Sequence, residues 1–223
     1  MTRCARRWLG SKHVVADQIR LVLASASPAR LRTLHAAGLR PKVVVSGVDE
    51  SVFSELEPAS LASTLAERKA AAVAERLEPA SGERLLVVGC DSVLELDGIG
   101  YGKPANAAAA VARWQAMRGR SGVLHTGHCV VDKHGTTVGT WTALASTIVH
   151  FARVSDPEIE AYVATGEPLD VAGGFTIDGL GCAFVAGLEG DPHNVVGISV
   201  PLLRTMLADL GIAWPTLWAD TSI

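Results

Sequence analysis

Aromatic residues are scarce in this chain, at 5% of 223 residues, and neither sign of charge predominates, the formal net charge being −3. Near neutrality excludes the global basic field that holds nucleic acid or an anionic membrane surface, so any anion site has to be local. The four cysteines, Cys4, Cys90, Cys129 and Cys182, lie far apart and form no CxxC pair. That spacing disfavours a disulfide framework or a zinc knuckle, and free thiols in a reducing cytoplasm are the simpler account. There is no HExxH motif. His125 and His128 stand three apart in a strand-like segment, where side chains leave opposite faces and do not share a metal. Both read as ordinary strand or rim residues. No apolar run is long enough to span a bilayer. The opening "MTRCARRWLGSKHVVADQ" is basic but lacks an apolar core and a cleavage site, so it is a poor signal peptide. Residues 1–18 are expected to be an N-terminal extension, and the protein to be cytoplasmic. P-loop, GxGxxG and GxSxG patterns are also missing, which disfavours those enzyme classes.

What the chain does have is Ala, Val and Leu, with 48% apolar residues overall. This suits an α/β protein with helices covering a sheet. "IRLVLAS" reads as a buried strand, and "SPARLRTLHAAG" as a helix with Ser27 as cap, Pro28 at its first position and Gly38 past its end. "PKVVVSG" is expected to be a second strand, and "PASLASTLAERKAAAVAERL" a long helix. "ERLLVVGCDSVLEL" begins as a buried strand, meets Cys90-Asp91-Ser92 and continues as a second extended segment, with a hairpin expected at Asp97-Gly98. A helix follows over "KPANAAAAVARWQAMRG", then two long β segments, a short helix from Ser155, a glycine-rich stretch, a strand over "CAFVAGLEG" and a last helix over "SVPLLRTMLADLG". No repeat or composition break divides residues 19–218, so one domain is expected. The expected fold is α/β, with an elongated mixed β-sheet flanked by helices and two lobes around a central cleft.

Polar residues gather where strands end. Ser25, Ser27 and Arg30 stand at a strand-to-helix turn, where free N–H groups and the helix dipole favour an anion and Arg30 adds a bidentate hold. The same residues equally describe a capped helix entry with solvated arginines. Asp91 follows "LLVVG", at what reads as the carboxyl end of a central strand, where ligands collect in open α/β sheets. A carboxylate there binds Mg²⁺ or takes a proton from water, or else caps its own turn. Asp49 and Glu50 end another short segment read as strand, and a solvated acidic loop describes them equally well. Lys69 and Lys103 taken singly are solvated surface charges.

Eight segments in order, "LASASPARLRTL", "VSGVDES", "AERKA", "GCDSVL", "YGKP", "MRGRSGVLHTG", "GEPLDVAGGFTIDGLG" and "NVVGISVPLL", closely resemble the Maf family of nucleoside-triphosphate pyrophosphatases from about Ile19 to Leu210. The resemblance implies a cytoplasmic enzyme with a fold similar to that of inosine-triphosphate pyrophosphatases. It also implies cleavage between the α and β phosphates of a nucleoside triphosphate with a divalent cation, Mg²⁺ or Mn²⁺. Position by position it makes Asp91 the proton acceptor and Ser25, Ser27, Arg30, Lys69 and Lys103 the triphosphate-binding residues. Asp49, Glu50 and Asp91 become the metal ligands. Such a site is physically apt, since a triphosphate carries about four negative charges and a net-acidic protein needs local cations to hold it. A nucleoside triphosphate is the expected partner, with no nucleic acid and no membrane, and a homodimer is compatible with this.

Three positions depart from the family's patterns. Pyrimidine-preferring members carry Arg-Arg after Ser-Pro, Thr after the catalytic Asp, and Gln in a later "I-Q-G". Members preferring a methylated guanine nucleotide carry an aromatic in the first slot and Glu near the last. Here the positions read Ala29, Ser92 and Asp178, which matches neither set and marks them as specificity positions. An ionised Asp178 accepts but does not donate, which suits a base presenting donors, such as guanine or cytosine; broad tolerance is the alternative. Because the family was named for arrested septum formation, a non-catalytic nucleotide-sensing or partner-docking protein is the second functional expectation. Asp91, Lys69 and Lys103 speak against it, since docking alone does not require them.

Overall fold

The computed structural model describes residues 18–49 and 55–218. The expected N-terminal extension, except Gln18, therefore lies outside the described residues, as do Cys4 and Glu50. The strands are β1 (Gln18–Leu23), β2 (Lys42–Val43), β3 (Glu83–Leu96), β4 (Ile99–Tyr101), β5 (Ser121–His134), β6 (Thr137–Phe151) and β7 (Val185–Glu189). The helices are α1 (Pro28–Ala36), α2 (Pro58–Ala74), α3 (Ala107–Met117), α4 (Asp156–Ala164), α5 (Pro192–Val196) and α6 (Val200–Asp209). The strands form one seven-stranded sheet in the order β2-β1-β3-β5-β6-β7, with β4 beside β3. β1 pairs in parallel with β2 and β3, and the remaining pairs are antiparallel. A mixed open sheet flanked by helices is the fold expected from the sequence.

Helix ends follow local chemistry. Ser27 caps α1 with Pro28 behind it, Asn106 caps α3 and Ser199 caps α6, each accepting a first-turn N–H. Ser155 and Glu158 close a capping box on α4. Some expectations need correction. "PKVVVSG" yields a two-residue strand, because only Lys42 and Val43 stand in register with β1 at the sheet's edge, with one further bond from the Val44 N–H to the Leu23 carbonyl. "ERLLVVGCDSVLEL" is one unbroken strand, paired with β5 from Arg84 to Glu95, so Asp91 lies within β3 and not at its end. Much of the glycine-rich stretch and "CAF" form short 3-10 turns before β7 begins at Val185.

β3 is buried on both faces, as its continuous apolar run requires. Leu85 and Val87 pack with Val22, Cys129 and the α2 residues Ala66, Ala70 and Val73 on one face. Leu86, Val88 and Cys90 pack with Leu34 of α1 and Leu203 and Leu207 of α6 on the other. Farther along that second face, Leu94, Leu124, Val149 and Phe151 form a separate core with α3 and α4. Trp114 is its centre, its ring 5.8 Å from Phe151, 5.5 Å from Tyr162 and 5.7 Å from Phe184, all edge-on. Its indole N–H donates to the Gly174 carbonyl at 2.9 Å. The long strands thus carry two cores in sequence on one face, and Arg30, Ser92 and Thr126 lie between them.

Candidate active site

Glycine decides how near α2 comes to the sheet. A Cβ on Gly89 would stand 2.3 Å from the Ala66 carbonyl oxygen, and one on Gly127 would stand 2.2 Å from that of Ala62. With no side chain at either place, the helix lies directly on β3 and β5. This close approach brings Lys69 over Asp91, two residues beyond Gly89 on the same face, and the ammonium donates to Asp91 Oδ1 in a buried ion pair. Asp91 is opposite Gly127 in the β3–β5 register, so both glycines that admit α2 lie beside the carboxylate.

Ser92 is the next residue and therefore leaves the other face. There Arg30 is buried among protein acceptors. Its Nε donates to the Gly197 carbonyl at 2.7 Å, Nη1 to Ser25 Oγ at 3.2 Å and Nη2 to Ser92 Oγ at 3.1 Å. Ser25 Oγ also accepts the Ser27 N–H at 3.1 Å. Ser92 Oγ lies 2.9 Å from Thr126 Oγ1, which in turn donates to the Asn194 carbonyl at 3.1 Å. Arg30 is thus no solvated arginine, and the Ser27 cap is present as expected. Ser27 caps α1 while Arg30 and Ser25 form a fixed polar wall.

The two half-sites meet along one strand edge. β1 makes its last pair with β3 at Leu23↔Val88, followed by a bond from Ala24 N–H to the Val88 carbonyl, and β4 begins at Leu94↔Tyr101. Between them, residues 89–93 of β3 have no strand partner on that side among the described residues. This is the carboxyl end of the parallel strand β1, where ligands collect in open α/β sheets. Asp91 is mid-strand in β3 and yet at the mouth of this gap.

Other candidates sit farther out. Asp49 and Lys103 are exposed, and Ala29 is half-buried on α1. Asp178 accepts from Arg32 Nη2 at 3.2 Å, and both line a cavity of about 320 Å³ with Thr33, Ala36, His193 and Val196. That cavity includes neither Asp91 nor Lys69. The stretch bearing Asp178 is pinned by Glu167, whose carboxylate accepts from Tyr162 Oη, Thr176 Oγ1 and the N–H groups of Leu180 and Gly181. Burial raises the Glu167 pKa, but these donors outweigh it and hold the carboxyl below the usual range. Sequence reasoning missed Glu167, Thr126 and Asn194. All three stand in noted segments, but none bears a recognisable motif chemistry.

His125 and His128 point to opposite faces as expected, and both are buried. His125 bridges Ser146 and Glu95, while His128 Nε2 accepts the Ser199 N–H at 2.8 Å. Among the described residues no three His, Cys, Asp or Glu side chains cluster to cage a metal. Cys90, Cys129 and Cys182 are free thiols, and burial pushes Cys90 up to about 12. No helix among the described residues is long and apolar enough to cross a membrane.

The profile of the family described as Maf-like protein matches residues 20–210. The chain is 60% identical to the nucleoside triphosphate pyrophosphatase of Salinispora tropica over 202 residues, covering 90% of this chain and 88% of the relative. It is 57% identical over 201 residues to the protein of the same name from Streptomyces coelicolor, covering 90% and 95% respectively. A relative so named from Cutibacterium acnes is 50% identical over 88% of this chain and 93% of its own length.

Proposed function

The chain belongs to the Maf-like protein family, and on that premise we propose that it is a nucleoside triphosphate pyrophosphatase. It hydrolyses the α–β phosphoanhydride, releasing a nucleoside monophosphate and pyrophosphate. The observation that carries the reading is the buried Lys69–Asp91 pair at the open edge of β3, facing the end of β1. A carboxylate fixed at such a gap is suited to take a proton from water as that water attacks phosphorus, and Lys69 orients it. Five N–H donors belong to a guanidinium, and Arg30 commits three to Gly197, Ser25 and Ser92. One donor on each terminal nitrogen is left for phosphate oxygens. Ser25 Oγ accepts twice, so its own proton is left to donate to phosphate. Ser27 and Lys103 complete the triphosphate contacts.

The donor set suits a hard cation that arrives with its substrate, since Mg²⁺ binds through one or two carboxylates together with phosphates and waters. Asp91 with Asp49 or Glu50 would hold Mg²⁺ or Mn²⁺, which when bound neutralises phosphate charge. Base choice falls to Asp178 and the open slot at Ala29, favouring bases that present N–H donors. Free buried thiols support a reducing, cytoplasmic setting.

Pyrophosphate release over a nucleotide panel with Mg²⁺ tests the reading. Asp91→Asn is expected to lower kcat by about 10²–10⁴-fold. An equally active variant removes Asp91 from the proton-accepting role. Tight nucleotide binding without turnover under either metal overturns the hydrolase itself.

A further inference from the structure

We infer that Thr126 and Asn194 are positioning residues for the triphosphate site, acting through Ser92 to aim the Arg30 guanidinium. On this account Ser92 serves the phosphate end and does not read the base. The inference rests on the reading above that Arg30 faces phosphate.

Counting protons gives the chain its direction. Thr126 has one hydroxyl proton, and it goes to the Asn194 carbonyl at 3.1 Å. In the 2.9 Å contact between Ser92 and Thr126, Ser92 must therefore donate. The only proton of Ser92 is then spent, and its oxygen is turned to accept from Arg30 Nη2. The run Arg30→Ser92→Thr126→Asn194 has a single polarity, with Ser92 8% exposed and both Thr126 and Asn194 at 0%. A hydroxyl so buried and so committed has no proton to offer a nucleobase.

The far end of the chain is anchored. Asn194 Nδ2 donates to the Leu124 carbonyl at 3.1 Å and to Thr147 Oγ1 at 3.0 Å. Thr147 donates to the Asp191 carbonyl at 3.0 Å, which ties down the start of α5. At the end of α5, Gly197 has φ of +118° and presents the carbonyl that takes Arg30 Nε. A Cβ on Gly197 would stand 3.1 Å from that nitrogen, so glycine is needed both for the backbone angle and for the approach. α5 thus sets two sides of the guanidinium, one through Gly197 and one through the hydroxyl chain.

Thr126→Val keeps the shape and removes the hydroxyl. In the ¹⁵N-labelled full chain, with the Arg30 Nε–H signal assigned by its loss in Arg30→Lys, Thr126→Val is expected to move that signal and speed its solvent exchange. Thr126→Ser restores both. In kinetics, Thr126→Val raises KM for triphosphates on the order of tenfold, by a similar factor for every base. The same change causes no further loss in the Arg30→Lys background. Where Thr126→Val folds poorly, Ser92→Ala breaks the chain one link nearer and carries the same readouts. An unmoved Arg30 signal, a base-dependent loss, or a loss that adds to that of Arg30→Lys overturns the inference. If the unmodified protein releases no pyrophosphate from any nucleotide, the hydrolase reading fails, and the Arg30 signal alone then decides the positioning role.

Discussion

His128 illustrates how a single residue acquires a role that its type does not announce. Burial, aided by the nearby Arg30 charge, lowers its pKa from 6.5 to about 4, against smaller opposing effects of the Thr126 carbonyl and Asp191. Neutral Nε2 accepts the Ser199 N–H at the head of α6, a bond that protonation destroys. Between about 4 and 6.5 the unfolded chain binds this proton and the folded chain does not. Stability therefore rises with pH through that window and is lost as pH falls, by on the order of 3 kcal/mol in all. Denaturant unfolding from pH 7 to pH 4 should show this slope, and His128→Gln should flatten it. A parallel fall in both proteins would assign the acid sensitivity to other groups. Lys69 shows the opposite relation to sequence. Its chemistry was visible, but only burial against Asp91 separates it from the ordinary surface lysines it resembles.

Among the elements, those governed by their own few residues were readable in advance. The caps of α1 and α4, with proline at their starts, follow from short-range hydrogen bonding that a dozen residues contain. Strand extents were less readable. Asp91 looked like a strand end because polar residues interrupt an apolar run, yet pairing with β5 carries β3 past it to Glu95. No sequence motif marks Gly89 or Gly127 as a helix contact, and their purpose is set by a helix that arrives from elsewhere in the chain. Gly89→Ala would drive a methyl group into the α2 backbone. It is expected to cost about 3 kcal/mol by overpacking and to lower kcat by displacing Lys69 from Asp91. Thermal melting together with pyrophosphate release checks this, and a stable, fully active variant would show that α2 moves away freely.

Across the whole molecule, the two cores lie in sequence on one face of shared strands, with Arg30, Ser92 and Thr126 between them. Trp114→Ala leaves a large hole among Phe151, Tyr162 and Phe184 and is expected to cost about 3–5 kcal/mol. Because β3 and β5 run through both cores, circular dichroism and tryptophan fluorescence should report one lowered transition. Two separated transitions would show that the cores unfold independently. Residue order alone determined the α/β class, the capped starts of α1 and α4 and the family, because each depends on local periodicity, capping or a short motif. Tertiary structure decided that Lys69–Asp91 and Arg30–Ser92 occupy opposite faces of one sheet and meet at the gap beyond β1. It also decided that α5, distant in sequence, sets the angle of Arg30. These outcomes depend on strand register, on backbones close enough to exclude a Cβ, and on which hydroxyl gives up its proton, and each arises only when distant segments are packed together.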